Sequence, residues 1–532
     1  GGRVGGHLLR LHHAEEGAEE GPIDPADIPG ETGGETGGET GSGDNTGSTT
    51  TEGSDLENMT FGDTIFCSPN GNGDGKTISN PANVLAAIKN VQPGGVIFLL
   101  EGTYGFTETI LIEESNSGKE NKLKTIAAYK GAKVVFDFTG QTTAASNRGF
   151  NMCGSYWHFY GFEITKAGDN GMLLAGSHNK IEKMVFSKNQ DTGLQISRYN
   201  SSYTDLSQWP SYNLILNCTA HNNCDDATME NADGFAAKLT CGEGNVFDGC
   251  MSYNNSDDGW DLFAKAETGP IGIVTLKNCI AFRNGYTEDG RGYGDCDGNG
   301  FKLGGSGIGS AHVAINCLAF ENLHCGFTDN NNPKLGSLIN CTAVNNDIHS
   351  SGKPNFSVYR CTNGTFRNLM SFYNDASIKP ANDKYVGTYE NGVYYNSGYY
   401  QVSDKLDVTN GAKIGTKFTG PTAADFLSTD VPAMNTVDFH TAWRNADGSV
   451  NPAGFFETKS GDYCSMGYHM INLDCKAEVI PEEPTTADIV DADSDMTING
   501  IIYDVNGRQV SRQNLVENKV YICNGKKFVL KR

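Results

Sequence analysis

The chain has 532 residues, enough for several ordinary domains or for one elongated repeat domain with appendages. Its 67 glycines against 16 prolines point to many tight turns between short strands rather than to long helices. A net charge of −24 argues against non-specific nucleic-acid binding, and no run of about eighteen apolar residues is present to span a membrane.

Residues 1–60 are expected to be a flexible linker. The tandem Gly-Glu-Thr repeat from Gly30 to Thr40, followed by Ser, Thr and Gly, cannot bury enough apolar surface to offset its ordering entropy. Order is expected from about Asp63. A short helix is predicted from Pro81 to Val91, with Val84, Leu85, Ile88 and Val91 on one face and Pro81 at its start. A strand and turn follow over Gly94 to Thr103, and the helix is expected to precede the first strand as a cap on an open sheet end.

An internal repeat then dominates. Asn217-Cys218-Thr219-Ala220-His221-Asn222-Asn223 shares its register with the segments Gly249 to Asn255, Asn278 to Asn284, Asn316 to Asn322, Asn340 to Asn346 and Asn368 to Asn374, and Met184 to Asn189 is a weaker copy. The closing Asn residues recur at intervals from 24 (Asn322 to Asn346) to 38 (Asn284 to Asn322), which suits coils with fixed strands and variable loops. In a parallel solenoid equivalent positions stack about 4.8 Å apart. Cys218, Cys250, Cys279, Cys317 and Cys341 then form a core column, and Asn223, Asn255, Asn284, Asn322, Asn346 and Asn374 a ladder of paired amides. Reading the 15 cysteines as a disulfide framework would therefore mislead; Cys464 and Cys475 are the best candidate pair.

A second register follows: Gly171-Met172, Gly193-Leu194, Gly234-Phe235, Gly259-Trp260, Gly300-Phe301 and Gly326-Phe327 open the next strand of each coil. Two places after their Gly, Ala236, Asp261, Lys302 and Thr328 share one face, while Trp260 and Phe301 point into the core. The predicted fold is all-β, a right-handed parallel β-helix over 61–480. Pro481 to Thr486 reads as a linker, and 485–532 as a small C-terminal β-domain with Asn-Gly hairpins at Asn506-Gly507 and Asn524-Gly525.

On this scaffold Asp233, Asp257, Asp258 and Asp261 gather beside Lys302. Carboxylates this close repel one another unless a cation lies among them, and with no His or Cys beside them the fitting ion is Ca²⁺. A neighbouring divalent ion disfavours a protonated amine, so Lys302 becomes a candidate general base. That pairing suits abstraction of the proton α to a uronate carboxylate, at C5, with loss of the 4-linked oxygen. Lys238, Lys265, Arg283, Arg291 and Lys334 are candidates for binding substrate carboxylates.

The stretches Ala232 to Lys238, Gly242 to Phe247, Asn255 to Phe263 and Gly298 to Gly305 closely resemble polysaccharide lyase family 9, over about residues 63–475. The resemblance implies that Asp233, Asp257, Asp258 and Asp261 bind Ca²⁺ and that Lys302 is the base. It also implies a pectic substrate, polygalacturonate or rhamnogalacturonan I, cleaved by an extracellular enzyme expected to act as a monomer. The longer loop Gly285 to Asp297 departs from the pattern and bears on which pectic polymer is bound. The C-terminal segment resembles the sorting or anchoring domains of secreted Bacteroidetes proteins. A β-helix glycoside hydrolase using Asp257 and Asp258, and a non-catalytic carbohydrate-binding solenoid, are the alternative readings.

Overall fold

The computed structural model describes residues 59–293, 296–361 and 364–375 continuously, and shorter stretches between 377 and 531. The linker expected over 1–60 lies almost wholly outside the described residues, as does the one at Pro481 to Thr486. The chain winds into a right-handed β-helix of three parallel sheets, with twelve, ten and eleven strands among the described residues. One coil shows the pattern: Asn245–Asp248 lies in the first sheet, Met251–Tyr253 in the third, Trp260–Asp261 in the second, and Val274–Lys277 returns to the first.

The repeat is legible because each corner sets its own demand. Asn217, Gly249, Asn278, Asn316, Asn340 and Asn368 all sit at the bend from the first sheet to the third with φ between 50° and 66°. Only Gly, and Asn through local hydrogen bonding, takes that left-handed conformation cheaply. The five following cysteines are buried and reduced, each pointing into the core. Cys464 and Cys475 are joined by a disulfide.

The Asn ladder runs through Asn189, Asn223, Asn255, Asn284, Asn322 and Asn346, each side-chain amide donating to the next side-chain oxygen at 2.8–3.0 Å. It then departs from the expected column. Asn346 donates to Asn355 Oδ1 at 2.9 Å, while Asn374 exchanges hydrogen bonds with Asn345. Asn355 stands directly before the strand Phe356–Val358, so it meets the ladder nine residues after Asn346 without a full coil between them. Asn255→Ala is expected to leave the backbone amide of Asn223 unpaired in the core and to take one of two partners from both the Asn223 side-chain amide and Asn284 Oδ1, at a cost of about 1–3 kcal/mol in urea unfolding. A loss below about 0.5 kcal/mol would mean that the ladder is not a structural column.

Two expectations near the start are corrected. The strand Thr64–Cys67 precedes the helix and pairs with Val96–Leu99, so the sheet begins before its cap. The helix spans Val84–Asn90, and Asn83 caps it by accepting from the amides of Leu85 and Ala86. A side-chain acceptor satisfies orphan amides that Pro81 cannot.

The third sheet's outward face carries a stack of Tyr253, Phe282 and Phe320, and Phe439, Trp443 and Phe455 cover it. Arg444 anchors that covering segment by donating to the carbonyls of Gly249 and Cys218, both at 2.7 Å. Toward the C-terminus, Ile502–Asp504, Gln509–Val510, Val520–Cys523, Lys526–Lys531 and Asp488–Asp491 form a separate five-stranded sheet, with antiparallel pairs across both predicted Asn-Gly turns.

Candidate active site

Three consecutive strands of the second sheet build the site: Phe235–Ala237, Trp260–Asp261 and Phe301–Lys302. Their inward residues Phe235, Trp260 and Phe301 stack face to face in the core. Ala236, Asp261, Lys302 and Thr328 are successive Cα partners on the outward side. Glycine opens these strands for want of space: a Cβ at Gly259 would lie 2.5 Å from the carbonyl oxygen of Gly300. Asp233 and Asp258, just ahead of their glycines, are thereby held one rung apart.

Asp233, Asp258 and Asp261 each present an oxygen within 4.8 Å of the others, and all three are fully buried. Asp233 Oδ1 accepts from the amide of Asp258 at 3.0 Å, and Asp261 Oδ1 from the amide of Phe263 at 3.0 Å. Asp258 Oδ1 accepts from the amide of Asn299 at 2.6 Å, whereas its Oδ2 is buried with no hydrogen-bond partner. Burial, reinforced by the neighbouring Asp257, pushes the Asp258 carboxyl well above the ordinary range; burial also raises Asp233, against the pull of Lys238.

The fourth predicted ligand is placed differently. Asp257 Oδ2 accepts from the amide of Asn231 at 2.9 Å, and Oδ1 from the amides of Asp297 and Gly298 at 2.8 and 3.4 Å. Asp257 lies in the bend before the strand Trp260–Asp261, where its carboxylate ties two turns together while Asp258 joins the cluster.

Two lysines complete the arrangement. Lys238 Nζ bridges Asp233 Oδ2 at 2.9 Å and Asp261 Oδ2 at 3.0 Å. Lys302 Nζ donates to Asp297 Oδ2 at 2.8 Å and lies 3.5 Å from Asp258 Oδ2. Burial works to raise the Asp297 carboxyl, but the Lys302 charge holds it below its usual value. Asp297 is the open end of the site, its side chain 45% exposed where that of Lys302 is 2%.

The other basic candidates divide. Lys238 is buried inside the cluster, and Arg283 is buried against Phe282 and Phe439 with Nε on Glu321 at 2.7 Å. Arg291 is partly exposed and joins Asp226 to Asp289, latching two loops. Lys265, four residues after Asp261, is partly exposed and Lys334 is exposed. The role of Asp297 was not legible beforehand: it lies in the non-repeating loop, and only its place five residues before Lys302 hinted at it.

The donor set suits a hard divalent cation: three buried carboxylates, no sulfur or imidazole, and one carboxylate oxygen without a hydrogen bond.

Comparison with known proteins agrees with this architecture. The family described as Pel9A-like, right-handed beta helix region matches residues 65–363. Pectate lyase L of Paenibacillus polymyxa (strain SC2) is 40% identical over 420 residues, 78% of this chain and 85% of that protein. Pectate lyase L of Dickeya chrysanthemi is 36% identical over 331 residues, 60% of this chain and 73% of its own. The crystal structure of pectate lyase Pel9A superposes with a TM-score of 0.59 at 31% identity, covering 76% of this chain and 91% of that one. A rhamnogalacturonan lyase structure shares the fold, with a TM-score of 0.56 at 22% identity over 76% of this chain and 99% of its own. With the family match spanning more than half the chain and a relative 40% identical over 420 residues, the protein belongs to the Pel9A-like right-handed β-helix family of polysaccharide lyases.

Proposed function

We propose that this protein is an extracellular, calcium-dependent pectate lyase that breaks polygalacturonate by β-elimination. The observation that carries the reading is the position of Lys302, one strand from Asp261 and 3.5 Å from Asp258. Asp233, Asp258 and Asp261 would hold the calcium ion, and Asp257 shapes the turns around them. A calcium ion held there would neutralise a substrate carboxylate and so make the proton α to it more acidic.

Lys302 then acts as its neutral amine. Its lone pair takes the C5 proton, the C5–H electrons form the C4–C5 double bond, and the C4–O bond breaks with its electrons leaving on oxygen, which takes up a proton. Asp297 fixes the direction of the amine, and the low exposure of Lys302 limits competing water. Lys238 neutralises part of the carboxylate charge and keeps Asp233 and Asp261 converged. A hydrolase built on Asp257 and Asp258 is disfavoured, because Asp257 is spent on backbone amides.

A polymeric pectic substrate places the enzyme outside the cell, and no helix among the described residues is long and apolar enough to cross a membrane. The small C-terminal sheet suits a sorting or anchoring role, and the solenoid carries a complete site, as a monomer requires. Incubation with polygalacturonate and calcium should release unsaturated products that absorb in the ultraviolet, whereas a hydrolase releases reducing ends without absorbance. Running rhamnogalacturonan I in parallel identifies the preferred polymer. Absence of absorbing product from either substrate overturns the lyase reading.

A further inference from the structure

The outward column that carries Asp261 and Lys302 continues past the carboxylates. Lys302 is the Cα partner of Thr328, Thr328 of Ser357, and Ser357 of Lys384. Three rungs, roughly 14 Å at the strand spacing, therefore separate two lysines on one face of the second sheet. Beside the second lysine stands Tyr359, 36% exposed, with Lys384 Nζ 4.6 Å and the Arg360 guanidinium carbon 5.1 Å from its ring centre. Arg360 is braced from below: Nε donates to the buried Asp329 at 2.8 Å and Nη2 to Thr328 Oγ1 at 3.1 Å. Because Thr328 is the strand neighbour of Lys302, Arg360 bridges the interval between the base and Lys384.

A chain with a net charge of −24 repels a polyanion over most of its surface, so an anionic polymer needs cations where it lies. We propose that Lys384 and Arg360, oriented by Tyr359, form a distal subsite for the carboxylates of a uronate chain running along this face from Lys302. The proposal rests on the reading of the protein as a pectate lyase and adds where the polymer extends. The subsite holds sugar units remote from the bond broken, so it contributes binding that is equal in ground and transition states and shows in KM rather than kcat. The repeat hides it, because Ser357 and Lys384 come two places after Asn355 and Asn382 instead of after a glycine.

The test compares polygalacturonate with the galacturonate trimer, both with saturating calcium. A trimer has at most two units on either side of its cleaved bond, short of three rungs. In Lys384→Gln, KM for the polymer should rise about threefold to tenfold, with kcat within about twofold and the trimer's KM unmoved. Lys384→Arg should restore the polymer KM, and added salt should weaken polymer binding less in Lys384→Gln than in wild type. An unchanged polymer KM, or an equal rise on polymer and trimer, overturns the subsite while the lyase reading stands. A wild-type protein that releases no unsaturated product from pectate removes the lyase reading itself.

Discussion

Lys302→Ala should fold and bind calcium yet turn over pectate at least about a thousandfold more slowly, the loss expected when a positioned base is removed. Two facts make the folding half credible. Asp297, which loses its partner, is 45% exposed at the side chain and can be solvated, and Lys302 itself ends on the outward face rather than in the core. Lys302→Arg sharpens the test, because it keeps the charge beside Asp258 and Asp297 but cannot give up a proton near neutral pH. Both variants should be equally inactive if the amine is the base, whereas Arg should retain activity if only a positive charge is needed. The pH profile carries the same sign. An amine is a base only in its neutral form, whose share grows as pH rises. The kcat/KM of the wild type should therefore climb on the alkaline side, and small added amines should restore part of the Lys302→Ala activity along that limb. Wild-type turnover in Lys302→Ala rejects the assignment.

The solenoid was legible because a parallel coil asks the same thing of the chain at each rung. A left-handed corner wants Asn or Gly, the position after it wants a small apolar side chain, and the tight entry to the second sheet wants glycine. Those demands repeat, so they surface as a periodic pattern, and Asp261 over Lys302 followed from it directly. What did not repeat was not visible. Asn355 enters the ladder through a nine-residue excursion that breaks the coil count, and Asp297 sits in a loop with no counterpart. A second Asn column, in which Asn179, Asn213 and Asn245 accept backbone amides of the preceding coil at 2.8–3.1 Å, keeps the same 34- and 32-residue intervals as Asn189, Asn223 and Asn255, but no cysteine accompanies it to mark the register. Lys238 was expected to bind substrate carboxylates; the structure sets its ammonium between the protein's own Asp233 and Asp261. Asp257 and Asp258 show the limit most clearly, since residues adjacent in sequence took different partners.

Chelation should abolish turnover and calcium should restore it, and the same titration should reveal an inversion of stability at Asp258. Three carboxylates with oxygens no more than 4.8 Å apart repel by roughly 3 kcal/mol or more per ionised pair at an effective dielectric of 20. Lys238 relieves Asp233 and Asp261 but not Asp258 Oδ2, which has Lys302 at 3.5 Å and no hydrogen bond. Asp258→Asn removes that charge at nearly constant shape. In excess chelator the variant should melt at or above the wild-type temperature, because a buried carboxylate that repels two others and has only Lys302 at 3.5 Å against it has gone. With calcium present it should melt below, because the ion has lost a charged ligand and binds at least about tenfold more weakly. The pH dependence fixes the cause. Burial raises the folded-state carboxyl of Asp258 above its unfolded value, so the folded protein binds more protons than the unfolded chain and is destabilised as pH rises through that range. Wild type in chelator should thus gain melting temperature as pH falls from neutral toward the ordinary carboxyl range, and Asp258→Asn should show a shallower slope. Calcium should flatten the wild-type slope by favouring the ionised form. If chelator leaves activity intact, or if Asp258→Asn is the less stable protein with and without calcium alike, the cluster is a structural knot of aspartates and not a metal site.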